Sequence, residues 1–155
     1  MHYRVRGLSP DLFNEYFDLN DDQLRERHVK RIIADEPESF PCRVSLEDAS
    51  VGDEVLLLPF THHDGATPYR SSGPIYVRRS AGTAYDAIDR IPAMQRRRLT
   101  SLRAYDASGF LVVSDVVPGV ELDALVKRFL AMPETAWLHA HNARPGCFAF
   151  RIERA

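Results

Sequence analysis

The chain has 155 residues, 45% apolar and 27% charged, with 20 Lys and Arg against 22 Asp and Glu and a formal charge of −2. That length suits one domain, residues 1–155, able to bury a core. The near-neutral balance excludes the strongly basic surface of a nucleic-acid binder, and no apolar run approaches a membrane span. Two cysteines, Cys42 and Cys147, are few for a disulfide-stapled secreted domain. Residues 1–6 lack the apolar stretch of a signal peptide. These points favour a cytoplasmic protein with reduced thiols, although a Cys42–Cys147 bridge stays open.

Residues 2–6 alternate as a short strand. Ser9 and Pro10 open a helix striped by Leu12, Phe13, Tyr16 and Phe17. Asn20-Asp21-Asp22 opens a second short helix through about His28, and Val29 to Ala34 reads as a strand. Cys42 to Leu46 reads as extended. Glu54 to Phe60 suits a strand buried on both faces. The Pro, Gly and small polar residues of Thr61 to Pro74 read as one long loop, after which Ile75 to Arg78 resumes as a strand. Residues 83–98 give no clear pattern, and Pro92 breaks any helix there. Leu99–Tyr105 and Phe110–Val117 form a hairpin. A helix follows to about Met132, with Leu122, Leu125, Val126, Phe129 and Leu130 as its buried stripe. Ala136–His141 and Cys147–Glu153 are the last strands. The fold class is α+β: a mixed, mostly antiparallel sheet, N-terminal helices, and one strand-helix-strand crossover near the C-terminus.

The chemistry concentrates in few places. His139 and His141 are two apart on a strand, so with Trp137 they share one face, which would line a cleft or meet solvent. Neutral imidazoles ligate zinc, iron or copper, and His62 or His63 could add a third ligand. The plainer alternative is one exposed and one hydrogen-bonded histidine. Adjacent residues on a strand point oppositely, so His62 and His63 cannot both line one pocket unless the strand has ended. Tyr69-Arg70-Ser71-Ser72-Gly73 has the groups of an anion clamp, against a loop whose polar groups are merely hydrated. Ser101, Arg103 and Tyr105 share a face that is either a lined pocket or a wet surface. Cys147 beside two histidines is a candidate nucleophile, against the commoner buried structural thiol. Arg96-Arg97-Arg98 reads as a solvated surface. Neither a dinucleotide fingerprint nor a nucleophile elbow is present.

Several segments together resemble a known family. They are Tyr3–Leu8, Pro41-Cys42-Arg43-Val44-Ser45-Leu46-Glu47-Asp48-Ala49, Gly52–Leu58, Pro68-Tyr69-Arg70-Ser71-Ser72-Gly73-Pro74-Ile75-Tyr76-Val77, Leu102–Asp106 and His139-Ala140-His141-Asn142-Ala143-Arg144-Pro145-Gly146-Cys147-Phe148. The resemblance is to the uncharacterised bacterial family DUF1203, and it spans essentially the whole chain. It implies a single-domain bacterial protein and transfers no activity, so the cofactor is unknown. It places Cys42, Arg43, Ser45, Tyr69, Arg70, Ser72, Arg103, His139, His141, Asn142, Gly146 and Cys147 at motif positions.

The leading expectation is a pocket for a small anionic or phosphorylated ligand. Arg70, Ser72 and Arg103 would hold the anion, and His139, His141 and Asn142 would hydrogen-bond or move protons. The rival is a metal-dependent enzyme using His62, His139 and His141. The third reading is a non-enzymatic interaction domain that forms a homo-oligomer through an exposed face carrying Trp137. No nucleic-acid or membrane partner is expected.

Overall fold

The computed structural model describes residues 1–155. Its backbone forms two antiparallel sheets. The larger has β1 (Tyr3–Arg6), β5 (Asp86–Ile88), β6 (Leu99–Tyr105), β7 (Leu111–Pro118), β8 (Trp137–Asn142) and β9 (Phe148–Arg154), in the order β5-β1-β9-β8-β6-β7. The smaller has β2 (Lys30–Ile33), β3 (Glu54–His63) and β4 (Ser71–Arg78), in the order β2-β3-β4.

The C-terminal crossover is present. β7 and β8 both run antiparallel to β6 and flank it, so they are parallel to each other. Helix α3 (Leu122–Leu130) connects them. Its five expected stripe residues are all buried, because i, i+3, i+4 spacing gathers them on one side. They pack on Leu102, Ala104, Leu138, Ala140, Phe150 and Ile152. A second cluster lies against the smaller sheet, built from Leu56, Leu58, Ile75 and Val77 with Phe13, Leu24, Cys42 and Val44. No helix is long and apolar enough to cross a membrane.

Several local expectations change. The Ser9 segment is two 3-10 turns, Pro10–Leu12 and Asn14–Asp18, rather than an α-helix. Ser9 caps as expected, but the backbone bonds are i to i+3, as Phe13 to Pro10 and Tyr16 to Phe13 show. The second helix is α1 (Asp21–Glu26), opened by an Asn20–Gln23 capping box and ended before His28, whose φ is 60°. Cys42–Leu46 is not a strand. It is a run of turns pinned by bridges Pro41–Asp48 and Cys42–Tyr76. Residues 83–98 resolve into β5 and the one-turn helix α2 (Ala93–Arg96), which starts after Pro92.

The largest difference lies at residues 61–74. β3 continues to His63 and β4 begins at Ser71, so only 64–70 is loop. The small polar residues there are cross-strand pairs: Thr61 faces Ser72, and their hydroxyls bond at 2.7 Å. Partner strands supplied the order that local composition did not suggest.

Candidate functional site: an imidazole cluster and an arginine-lined cleft between the sheets

Strand alternation places Trp137, His139 and His141 on one face of β8, opposite Leu138 and Ala140. β6 pairs with it in register, Arg103 against His139 and Ser101 against His141, so these polar residues share that face. The face is neither a cleft nor a wet surface: His139 and His141 are each 1% exposed. The far end of the β3–β4 hairpin covers it.

Two irregularities bring the covering rings in. The β3–β4 register shifts between Thr61 and His63, leaving His62 as an extra residue. That β-bulge breaks the alternation, and His62 and His63 both meet β8. His62 lies 5.9 Å from His139 and 5.0 Å from His141, ring centre to ring centre. His63 lies 5.2 Å from Trp137 and 6.4 Å from His139. A bulge inside the strand, rather than the end of the strand, is what lets both adjacent histidines in. The second shift lies between Ala140 and His141, opposite Ala149 of β9. It lets Phe150 join the apolar core while Phe148 turns the other way. Phe148 stacks on His62 at 5.3 Å and 6° and touches His139 and His141 edge-on.

The histidines divide into two kinds. His63 is fully bonded: Nε2 lies 2.9 Å from the Gly109 carbonyl, and Nδ1 accepts from the Gly65 N–H at 3.2 Å. In the other three, one buried nitrogen has no partner: Nδ1 of His62, Nδ1 of His139 and Nε2 of His141. Nδ1 of His141 lies 3.0 Å from the Gly146 carbonyl. A carbonyl only accepts, so that nitrogen carries the proton, and Nε2 is left as a bare lone pair.

Burial keeps these three rings neutral. It pulls His62 down to about 4, with Arg103 and His63 acting the same way. It pulls His139 to about 2, aided by His141, His62 and Arg151. It pulls His141 to about 3; the Gly146 carbonyl opposes, while Arg103, His62 and Arg43 add to the fall.

Beside this cluster is a cleft of about 650 Å³ lined by Arg43, Arg97, Arg98, Asn142, Arg144 and Cys147 among others. Arg97 and Arg98 are tied to Asp48, and Arg97 also to Glu38. Arg43 differs. It is 1% exposed and donates to the Phe148 carbonyl, the Pro41 carbonyl and Sγ of Cys147, the last at 3.2 Å. None of these is a carboxylate, and burial drives its guanidinium below the usual range. Buried cations are ordinarily paired.

The structure therefore gathers His62, His139, His141 and Arg103, and sets Cys147 beside them. Cys42 and Cys147 are both free thiols. The remaining expected residues lie elsewhere. Arg70 is exposed and its guanidinium bonds the Asp64 carbonyl. Ser72 is held by Thr61. Asn142 lies on the opposite face of β8 from the histidines, where its amide oxygen accepts from Gln95 at 3.1 Å. Trp137 is half-buried, stacked on Tyr105 at 4.4 Å with Arg151 4.5 Å from its ring centre, rather than standing on an open face. Sequence reasoning did not assign a role to Arg43, Arg144 or Phe148. Arg43 carried one signal, a lone charge among Pro41, Cys42 and Val44.

Fold and site together define an α+β protein whose two antiparallel sheets enclose a neutral imidazole cluster next to an arginine-lined cleft. The chain belongs to the DUF1203 family, described as "Protein of unknown function", whose model matches residues 39–154. The Tyr3–Leu8 segment lies outside the matched residues. No curated protein and no solved structure matches the chain.

Proposed function

We propose that this protein binds a small anionic ligand in the cleft between the sheets, with Arg43 and Arg144 as the cationic contacts. The observation that carries this reading is the state of Arg43. Its side chain is buried, lines the cleft, and has two carbonyls and a thiol for partners but no carboxylate. A ligand carboxylate or phosphate would supply the missing counter-charge. Arg144 is exposed at the rim and has no acidic partner, unlike Arg97 and Arg98. On this reading the anion lies away from Arg70 and Ser72.

A thermal-shift series with inorganic phosphate, citrate and nucleoside monophosphates tests the reading. At least one anion is expected to raise the Tm of the wild-type protein in proportion to its concentration. Arg144→Ala should weaken that anion about 10-fold to 100-fold, the range for losing a hydrogen bond to a charged group. An anion that binds Arg144→Ala and Arg43→Gln as tightly as wild type would place the site elsewhere.

A further inference from the structure

The orphaned nitrogens of His62, His139 and His141 lie outside that anion reading. Three buried, unbonded imidazole nitrogens in one cluster contrast with His63, whose two nitrogens are both satisfied one residue away. His141 is the most informative. Its proton is committed to the Gly146 carbonyl, so Nε2 offers only a lone pair. It requires a hydrogen-bond donor or a Lewis acid, and no side chain supplies one. Histidines that bind metals characteristically give their other N–H to a backbone carbonyl in this way.

We propose that His62, His139 and His141 form a binding site for a divalent transition cation of the nitrogen-preferring, zinc or cobalt type. Ring separations set how far the site is from closure. With metal–nitrogen bonds of about 2.1 Å, two rings of a tetrahedral set stand roughly 5 Å apart between centres. His62 and His141 are 5.0 Å apart; His62–His139 and His139–His141 are 5.9 and 6.2 Å. As they stand, no three His, Cys, Asp or Glu side chains surround a cation-sized point. Closing the site requires His139 to approach the other two rings by about 1 Å.

Access and charge fit a site of this kind. His62 also lines a pocket of about 210 Å³ with Asp64, Trp137 and Arg151, so one of the three rings borders an outer recess. Arg103 acts on His62 and His141, and Arg151 on His139. These cations oppose a bare metal ion, so the metal is held together with an anion. Three protein ligands leave a coordination position open for that anion.

The test uses untagged, full-length protein freed of metal with a chelator and titrated with Co(II), then with Zn(II). The expected result is one equivalent, with the visible absorption of four-coordinate Co(II), displaced by zinc. His139→Ala and His62→Ala should each weaken binding more than about tenfold. His2→Ala/His28→Ala, which removes the two exposed histidines, should leave it unchanged. If the buried-site variants fail to fold, nitrogen-resolved NMR of the wild-type imidazoles decides. Zinc should shift signals of His62, His139 and His141 and spare those of His2 and His28. No stoichiometric binding, or binding lost only in His2→Ala/His28→Ala, would overturn the proposal.

Discussion

The two faces of the six-stranded sheet use the same strands for opposite ends. On one face Leu102, Ala104, Leu138, Ala140, Phe150 and Ile152 meet α3, and the buried polar residues at its end, Thr100 and Asn142, are both bonded by Gln95. On the other, the intervening residues Arg103, His139 and His141, with Phe148, turn toward the smaller sheet. The first face buries apolar area, worth about 25 cal/mol per Å². The second keeps three nitrogens out of water without a partner, at a cost of about 1–3 kcal/mol each. The apolar face carries the fold, and the polar face is carried by it. Buried polar groups without a partner are rare in folded proteins, and three in one layer set this face apart.

Acid should separate the faces most strongly. In metal-free protein His139 and His141 stay neutral down to about 2 and 3, whereas an unfolded histidine takes its proton near pH 6.5. Between those values the unfolded chain binds more protons. Stability is therefore complete above about pH 6.5 and falls as pH drops. Each ring contributes about 1.4 kcal/mol per pH unit, so the pair removes about 5 kcal/mol between roughly pH 6 and 4. His62, half-buried, acts in the same direction. Urea unfolding across that range measures it, and His139→Leu/His141→Leu should flatten the profile. A wild-type protein with no acid slope would mean that water reaches these rings.

Truncating the apolar face comes next. Phe150→Ala should cost about 3–5 kcal/mol, since Phe150 is 1% exposed in the main core. Chemical denaturation at neutral pH checks this, and a loss below about 1 kcal/mol would mean that the core refills.

The smallest effects sharpen the comparison within the polar face. His63→Leu removes a ring bonded at both nitrogens and should destabilise by about 1–3 kcal/mol. His139→Leu removes an orphaned nitrogen and should be neutral or stabilising by up to about 1 kcal/mol. If His139→Leu costs as much as His63→Leu at neutral pH, the division of the histidines into structural and ligand-ready kinds is wrong.

Much of the larger sheet was legible because its signals are local. The 3.6-residue stripe of α3, the β6–β7 hairpin around Asp106–Gly109, and the alternation of β8 each sit within one segment. Alternation also placed His139 and His141 on one face. It could not say that a second sheet would cover that face, which turned an expected cleft into a buried cluster. Nor could it say that β3 would run on through His63, since that extension depends on pairing with Ser71 and Ser72.

The sequence alone settled the α+β class, the crossover near the C-terminus, the buried side of α3 and the pairing of His139 with His141 on β8. Period and turn chemistry act over a few residues, and they suffice for such features. Tertiary structure alone decided that His62 joins them, that Phe148 and Phe150 part, and that Arg43 is buried without a carboxylate. The first two follow from bulges at His62 and Ala149, and a bulge is a mismatch in length between two strands distant in sequence. The third follows from closing the turn at Cys42–Leu46 against β9, which no local pattern encodes.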